Sequence, residues 1–377
     1  MSWINVTYRI SAARDQLEGI ARALALEQSV EVPAGVVTDP FIAENIMGRV
    51  VEVHAAENNG PHEVVIGLAT ATTGLDVAQT VNMLFGNSSL HAHVELVDVD
   101  FPPGFLAHFS GPRFGIEGIR RILQSGPRPL TCAALKPQGL SIEALASLAY
   151  TLACSGIDIV KDDHGLADQA YSPFPQRVAA CQRAIARASR ETGRACLYAP
   201  SLVGSPGALV AQAQIAREAG VGAVLLAPAL VGMPVFHELV ALHVDVPVIA
   251  HPAYAGAVRV APALLLGKLF RWLGADAVIF PNFGGRFAYS REDCAGIANN
   301  GRGAWAGYAT TLPVPAGGLT TDRVTELVGF YGPDVMLLIG GALLMPAERL
   351  SERTRNFVAA VKTGHAAHVA TRGAATG

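Results

Sequence analysis

Gly156-Ile157-Asp158-Ile159-Val160-Lys161-Asp162-Asp163-His164 joins a short apolar run to a dense ionisable cluster with no spacer between them. The run Ile157–Val160 has too few residues for a helix and reads as a strand buried on both faces. Working outward, the same unit recurs at Thr131–Leu135, Ala195–Tyr198, Ala223–Leu226, Pro247–Ala250, Ala277–Phe280, Thr310–Val314 and Val335–Ile339. Helical patterns lie between the runs, at Ile142–Ala153, Gln176–Arg190, Ala208–Ala219, Ala261–Leu273 and Thr321–Val328. Buried strands alternating with helices imply a parallel sheet, and eight units in about 240 residues match a closed (β/α)8 TIM barrel. A doubly wound open sheet is the competing arrangement, and the unit count favours the barrel.

The first 110 or so residues follow a different rule. Trp3–Ile10, Arg49–His54, Glu63–Thr70 and Val94–Val99 read as strands, with a turn at Asn58-Asn59-Gly60, and Ala12–Glu27 and Leu75–Phe85 as helices. The order βαββαβ is that of a ferredoxin-like α+β domain. The expected division is an N-terminal α+β domain over 1–115 and a catalytic barrel over 116–377, α/β overall.

Of the 377 residues 51% are hydrophobic and 16% charged, with a formal net charge of −3. So weak and balanced a charge disfavours nucleic acid as a partner. Mean hydropathy is positive, yet no run of about eighteen apolar residues is free of charges and breakers, so no membrane span is expected. MSWINVTYRI lacks the basic-then-apolar form of a signal peptide. The five cysteines are scattered and odd in number, which suits free thiols in the cytoplasm better than disulfides or a zinc cluster.

In a barrel the chemistry lies at the carboxyl ends of the strands. Those positions hold Lys136, Lys161-Asp162-Asp163-His164, His251, Asn282 to Arg286, Gly317-Gly318 and Gly340-Gly341. Alternation sends Lys161 and Asp163 to one side, and His164 can swing in as the chain turns. Asp163 and His164 are candidate metal ligands, whereas a lysine becomes one only after carbamylation. A solvated charged loop is the bland reading of the cluster. Lys136 leaves an apolar strand, where desolvation favours the neutral amine and makes it a usable acid or base; a snorkelling lysine is the alternative. The glycine pairs after strands seven and eight suit phosphate, because their N–H groups can approach an anion closely. His251 is a substrate contact or a histidine bonded to its own loop. Arg286 is an anion clamp on a flexible loop or a plain surface residue. His91, His93, His237 and His243 carry no such signal, and His365 and His368 fall in an Ala/Gly-rich tail expected to be mobile.

Residues 156–164 resemble the metal-site motif of the RuBisCO superfamily. Ala134-Leu135-Lys136-Pro137-Gln138-Gly139-Leu140-Ser141 resembles its first-strand motif, Gly111–Ile116 its interdomain segment, and Ala316-Gly317-Gly318 and Ile339-Gly340-Gly341 its phosphate loops. Phe85-Gly86-Asn87 and Ala25–Ser29 resemble N-terminal segments that bring an asparagine and a glutamate to a neighbouring subunit's site. The resemblance implies a CO2-derived carbamate on Lys161, Mg2+ held by Lys161, Asp163 and His164, proton transfer by Lys136, and a homodimer in which Asn87 and Glu27 complete the partner's site. The departures point away from carbon fixation. Gln138 replaces a lysine, His164 a glutamate and Pro252 an arginine, and Phe280–Arg286 lacks the loop lysine that stabilises carboxylation. Loss of one such cation costs on the order of 3 kcal/mol.

A RuBisCO-like, non-carboxylating protein is therefore expected. Its implied activity is metal-dependent enolisation or isomerisation of a singly phosphorylated ketose such as 5-methylthioribulose 1-phosphate, within methionine salvage. A diketo-methylthiopentyl-phosphate enolase and a decarboxylase of a phosphorylated 3-oxo acid are the related alternatives. A catalytically silent binder and an aldolase-type Schiff base on Lys136 stand further off. Imidazole at position 164 leaves three options: Mg2+ tolerates the nitrogen, Mn2+, Co2+ or Fe2+ is used instead, or His164 binds no metal and acts as an acid/base.

Overall fold

The computed structural model describes residues 2–57, 60–287, 289–344 and 347–375; Asn58 and Asn59 of the expected turn lie outside the described residues. The chain divides into two compact units, Met1–Ser110 with Ala255–Leu265, and Gly111–Tyr254 with Leu266–Gly377.

In the first unit, strict alternation along β1 (Trp3–Ile10) buries Ile4, Val6, Tyr8 and Ile10 completely. β1 is central, pairing antiparallel with β3 (His62–Ala69) and β4 (Val94–Asp100), and β2 (Arg49–His54) forms the far edge, in the order β2-β3-β1-β4. The helices Leu17–Glu27 and Val77–Phe85 add Leu17, Ala21, Leu24, Met83 and Leu84 to its core. The Tyr8 hydroxyl donates to the Leu84 carbonyl at 2.5 Å. Residues 255–265 join this unit through a parallel bridge from Val260 to Leu96, with Ala261 N–H donating to Leu96 O at 2.8 Å.

The second unit is a parallel barrel of β5 (Leu130–Leu135), β6 (Ile159–Asp162), β7 (Leu197–Ala199), β8 (Val224–Leu226), β9 (Val248–Ala250), β10 (Ala277–Pro281), β11 (Leu312–Ala316) and β12 (Met336–Ile339). Ladders run through β12-β5-β6-β7 and β8-β9-β10-β11. A parallel bridge between Ser201 and Leu225 links β7 to β8, and β11 lies beside β12. The interior is filled by Cys132, Ile159, Ala199, Leu225, Ile249, Ile279, Val314 and Met336, a packed core rather than a pore. Ile116, Ile119 and Leu123 of the helix Gly115–Leu123 join the same cluster. The buried Asp276 carboxylate starts that helix, accepting N–H bonds from Phe114 at 2.6 Å, Gly115 at 2.8 Å and Val248 at 2.9 Å. Gly115 has φ +59°, and a Cβ there would lie 2.6 Å from Thr310 O. Nearly any other residue is excluded there on both counts.

Several expectations need correction. β6 extends to Asp162, so Lys161 and Asp162 belong to the strand. The helix expected over Ala12–Glu27 begins only at Leu17, after a 3-10 turn at Arg14–Gln16. The stretch expected as the helix Ala261–Leu273 is a π-helix over Ala263–Leu269 followed by a short turn of α-helix. The tail is not irregular: Leu350–Ala375 is one helix. It packs against the helix Val324–Tyr331, where Gly364 leaves room for Val328 at 3.6 Å. Among the described residues no helix is long and apolar enough to cross a membrane, and all five cysteines are free thiols.

Candidate active site

The barrel rim gathers the ionisable residues because each lies on the last positions of a strand or just past it. Lys136 follows β5, Lys161 lies at the end of β6 and Asp163 just past it, and His251 follows β9. Along β6 the alternation divides the motif in two. Ile159 faces the barrel core, and Lys161 stands one inward position above it. Asp162 faces the helix layer instead, where it accepts from Arg177 Nε at 3.1 Å, the Tyr198 hydroxyl at 2.8 Å and Ser201 N–H at 3.2 Å. Burial pushes the Asp162 carboxyl up, and the Arg177 charge and these donors oppose that. Arg177 is wholly buried and also donates to Ser172 O at 2.6 Å and Ala167 O at 2.7 Å. It thus ties the stretch after the motif to the strand that carries it.

Lys161 is 2% exposed, and its Nζ donates to Asp162 O at 2.9 Å. Burial lowers its affinity for a proton, so the neutral, nucleophilic amine is favoured relative to a free lysine. Asp163 Oδ1 lies 2.8 Å from Lys136 Nζ and 3.2 Å from His164 Nδ1. Burial alone would raise that carboxyl, but the His164 and Lys136 hydrogen bonds and the Lys136 and Lys161 charges hold it well below the usual carboxylate range. Lys136 is less desolvated than its apolar strand suggests, since 35% of its side chain is exposed and its charge is matched by Asp163.

The His164 and His251 rings stack with centroids 4.2 Å apart and planes 14° apart. His164 Nδ1 faces a carboxylate, so it carries the hydrogen and leaves the Nε2 lone pair free. His251 Nδ1 accepts Ala253 N–H at 3.1 Å. Burial, reinforced by the Lys161 charge, pushes His251 down to about 2, so its ring is neutral.

Among the described residues no three His, Cys, Asp or Glu side chains are grouped to hold a metal. Asp163 and His164 offer one oxygen and one nitrogen donor, and a third requires chemistry on Lys161. A buried amine biased toward its neutral form is the species that adds CO2, so the donor set fits a divalent cation only with the carbamate in place.

Gly317 and Gly318 adopt φ +87° and +101° past β11. Past β12, a Cβ at Gly340 or Gly341 would meet nothing within 4 Å, so open space fronts that pair. The loop after β10 is not loose. Asn282 N–H donates to Ala316 O and Arg286 N–H to Gly317 O, both at 2.8 Å. A Cβ on Gly285 would lie 2.3 Å from Gly317 O, so glycine is what lets the two loops meet. Asn282 and Phe283 are buried, and the Tyr331 hydroxyl donates to Asn282 Oδ1 at 2.7 Å. Arg286 is exposed beside Gly318.

In the first unit, Asn87 Nδ2 donates to Glu27 Oε1 at 2.9 Å and to Glu31 Oε1 at 3.1 Å. Carboxylates only accept, so both amide hydrogens are taken and Oδ1 is the atom left over. The three residues line a cavity of about 380 Å³. Glu31, Arg177, Tyr198 and Tyr331 were missed by sequence reasoning. For Glu31 a signal existed, since it lies four residues from Glu27.

Fold and site together define a RuBisCO-type barrel whose sixth-strand loop lacks the lysine. Residues 115–345 match the family model described as the ribulose bisphosphate carboxylase large chain, catalytic domain, and the chain belongs to that family. It is 50% identical to "Ribulose bisphosphate carboxylase-like protein 1" of Rhodopseudomonas palustris, over 95% of this chain and 97% of the relative. A crystal structure of a Rubisco-like protein from that organism superposes with a TM-score of 0.89 at 46% identity, covering 96% of this chain and 98% of the other. Identity is also 46% to a protein of Rhodospirillum rubrum named 5-methylthioribulose-1-phosphate isomerase, over 95% of this chain and 96% of the relative. A protein of Geobacillus thermodenitrificans named 2,3-diketo-5-methylthiopentyl-1-phosphate enolase is 32% identical, over 91% of this chain and 88% of the relative. Its relatives thus include a protein named as an isomerase and one named as an enolase of phosphorylated methylthio sugars.

Proposed function

We propose that this chain catalyses metal-dependent isomerisation of a singly phosphorylated ketose such as 5-methylthioribulose 1-phosphate, by moving a proton through an enediolate. The single observation that carries the reading is the Lys136–Asp163 pair beside buried, neutral-favouring Lys161 at the barrel mouth. The 46% identity to the relative named for this isomerisation favours it over the enolase reaction, whose named relative stands at 32%.

Carbamylated Lys161, Asp163 and His164 would hold the cation, Mg2+ or a later divalent metal such as Mn2+. When bound, it polarises the substrate carbonyl and stabilises negative charge on oxygen. Once Asp163 turns to that task, Lys136 is freed from its ion pair and, after giving one proton to solvent, takes as the neutral amine the proton from the carbon beside the carbonyl and returns it to another carbon. Neutral His251 hydrogen-bonds a substrate oxygen. Gly317, Gly318, Gly340 and Gly341 receive the one phosphate through backbone N–H groups, and Arg286 adds a cation beside them. Nothing in Phe280–Arg286 replaces the carboxylation lysine in kind, so CO2 serves as an activator and not as a substrate. Catalysis belongs to residues 116–377, and Asn87 and Glu27 act on the site of a second copy in a homodimer.

The test is proton NMR of 5-methylthioribulose 1-phosphate and, separately, of 2,3-diketo-5-methylthiopentyl 1-phosphate, each incubated with the full chain, Mg2+ and bicarbonate. A product ketose or aldose isomer supports the assignment. Conversion only of the diketo phosphate would support the enolase reaction, and binding without conversion of either would support a silent binder.

A further inference from the structure

At the amino ends of β5, β6 and β7, on the barrel face opposite the lysine cluster, lies a second cavity of about 180 Å³. Three cations from three separate elements line it: Arg128 before β5, Arg194 before β7 and Lys362 on the C-terminal helix. Asp158 is the only acid in its lining, and its charge is already committed. Arg128 grips it in a two-pronged pair at 2.6 and 2.9 Å, and Thr131 adds its N–H at 2.8 Å and its hydroxyl at 2.9 Å. No acidic partner is found for Arg194 or Lys362 among the described residues. The Arg194 guanidinium lies close to Gly156, where a Cβ would sit 3.2 Å from Nη1 and Nη2. Ala195, the residue after Arg194 and before β7, also lines the cavity.

We infer that this cavity is a binding site for a small tetrahedral oxyanion of the phosphate class. Two positive charges without an acidic partner among the described residues call for a negatively charged guest, and the fork of an arginine with the point charge of a lysine suits oxyanion geometry. Size decides the class. Pockets for organic ligands run from about 300 to 1,000 Å³; this one is too small for a nucleotide or a bisphosphorylated sugar and has room for an oxyanion with a few waters.

The test is calorimetric titration of the full chain with inorganic phosphate at low ionic strength, alongside the Arg194→Ser/Lys362→Ser variant. Both residues are exposed, so the variant keeps its fold, which circular dichroism checks. Phosphate bound at the active centre is separated by repeating both titrations in an Arg286→Ser background. The expected result is that one phosphate site per chain, beyond any at the active centre, weakens at least tenfold in the double variant in either background. Unchanged stoichiometry and affinity in the double variant overturn the site, whatever happens at the active centre. A parallel titration with phenyl phosphate separates the sources. Weaker binding than phosphate at this site identifies a free oxyanion as the guest, and equal or tighter binding extends the site to phosphate esters.

Discussion

The two neighbours Asp162 and Asp163 show how far one strand position separates chemistry. Asp163 faces the mouth with Lys136 and His164, and Asp162 faces Arg177 in the helix layer. Replacing Arg177 with Met leaves a buried carboxylate without its charge partner and should cost about 3–5 kcal/mol in urea unfolding. Replacing Lys161 with Ala should abolish turnover and metal dependence together, with unfolding free energy little reduced because the buried amine is itself costly. His251 gives a pH prediction. Its ring is neutral in the fold down to about 2, while the unfolded chain protonates near 6.5. Below that value the unfolded state binds the extra proton, so this contribution to stability is complete above about pH 6.5 and falls as the pH drops, by up to about 1.4 kcal/mol per unit. In the His251→Asn variant, unfolding followed between pH 7 and 4 should show a shallower slope by one proton. Asp163 acts in the same direction only at lower pH, because its carboxylate stabilises the fold above the ordinary carboxyl range and is lost as the pH falls below it.

Among the elements, the loop after β10 is where sequence and structure part most instructively. Its glycines read as flexibility, yet Gly285 is there so that the loop can press onto Gly317, and the Tyr331 hydroxyl, far away in sequence, fastens Asn282. The Tyr331→Phe variant should lose about 1–3 kcal/mol, since it strands a buried acceptor; chemical denaturation checks this. The strands themselves were legible, because fully apolar runs of that length leave few options and alternation along β6 puts Lys161 and Asp163 together. The misread pieces lacked a local signal. Residues 350–375 are rich in alanine and carry little amphipathic pattern, so only packing against Val324–Tyr331 reveals their helix. Asp162's partners could not be foreseen either, because Arg177 and Tyr198 come from the next helix and strand. The proposed catalytic roles rest on the motif resemblance; spacing alone left Lys136 and His251 undecided.

On the scale of the whole molecule, Glu27, Glu31 and Asn87 form a polar cluster in one unit, and the lysine cluster lies in the other. If the first serves a second copy, mixing inactive Asn87→Ala and Lys161→Ala chains should restore about a quarter of the activity, since half the random dimers carry one intact site of two. Activity assays after subunit exchange read this directly. Proton movement at this barrel mouth, beside the carbonyl of a sugar phosphate, can be read by deuterium wash-in. With 5-methylthioribulose 1-phosphate, Mg2+ and bicarbonate in D2O, mass spectrometry should find solvent deuterium on a carbon adjacent to the carbonyl with the native chain and none with Lys161→Ala. No incorporation by the native chain, or equal incorporation by the variant, would contradict it.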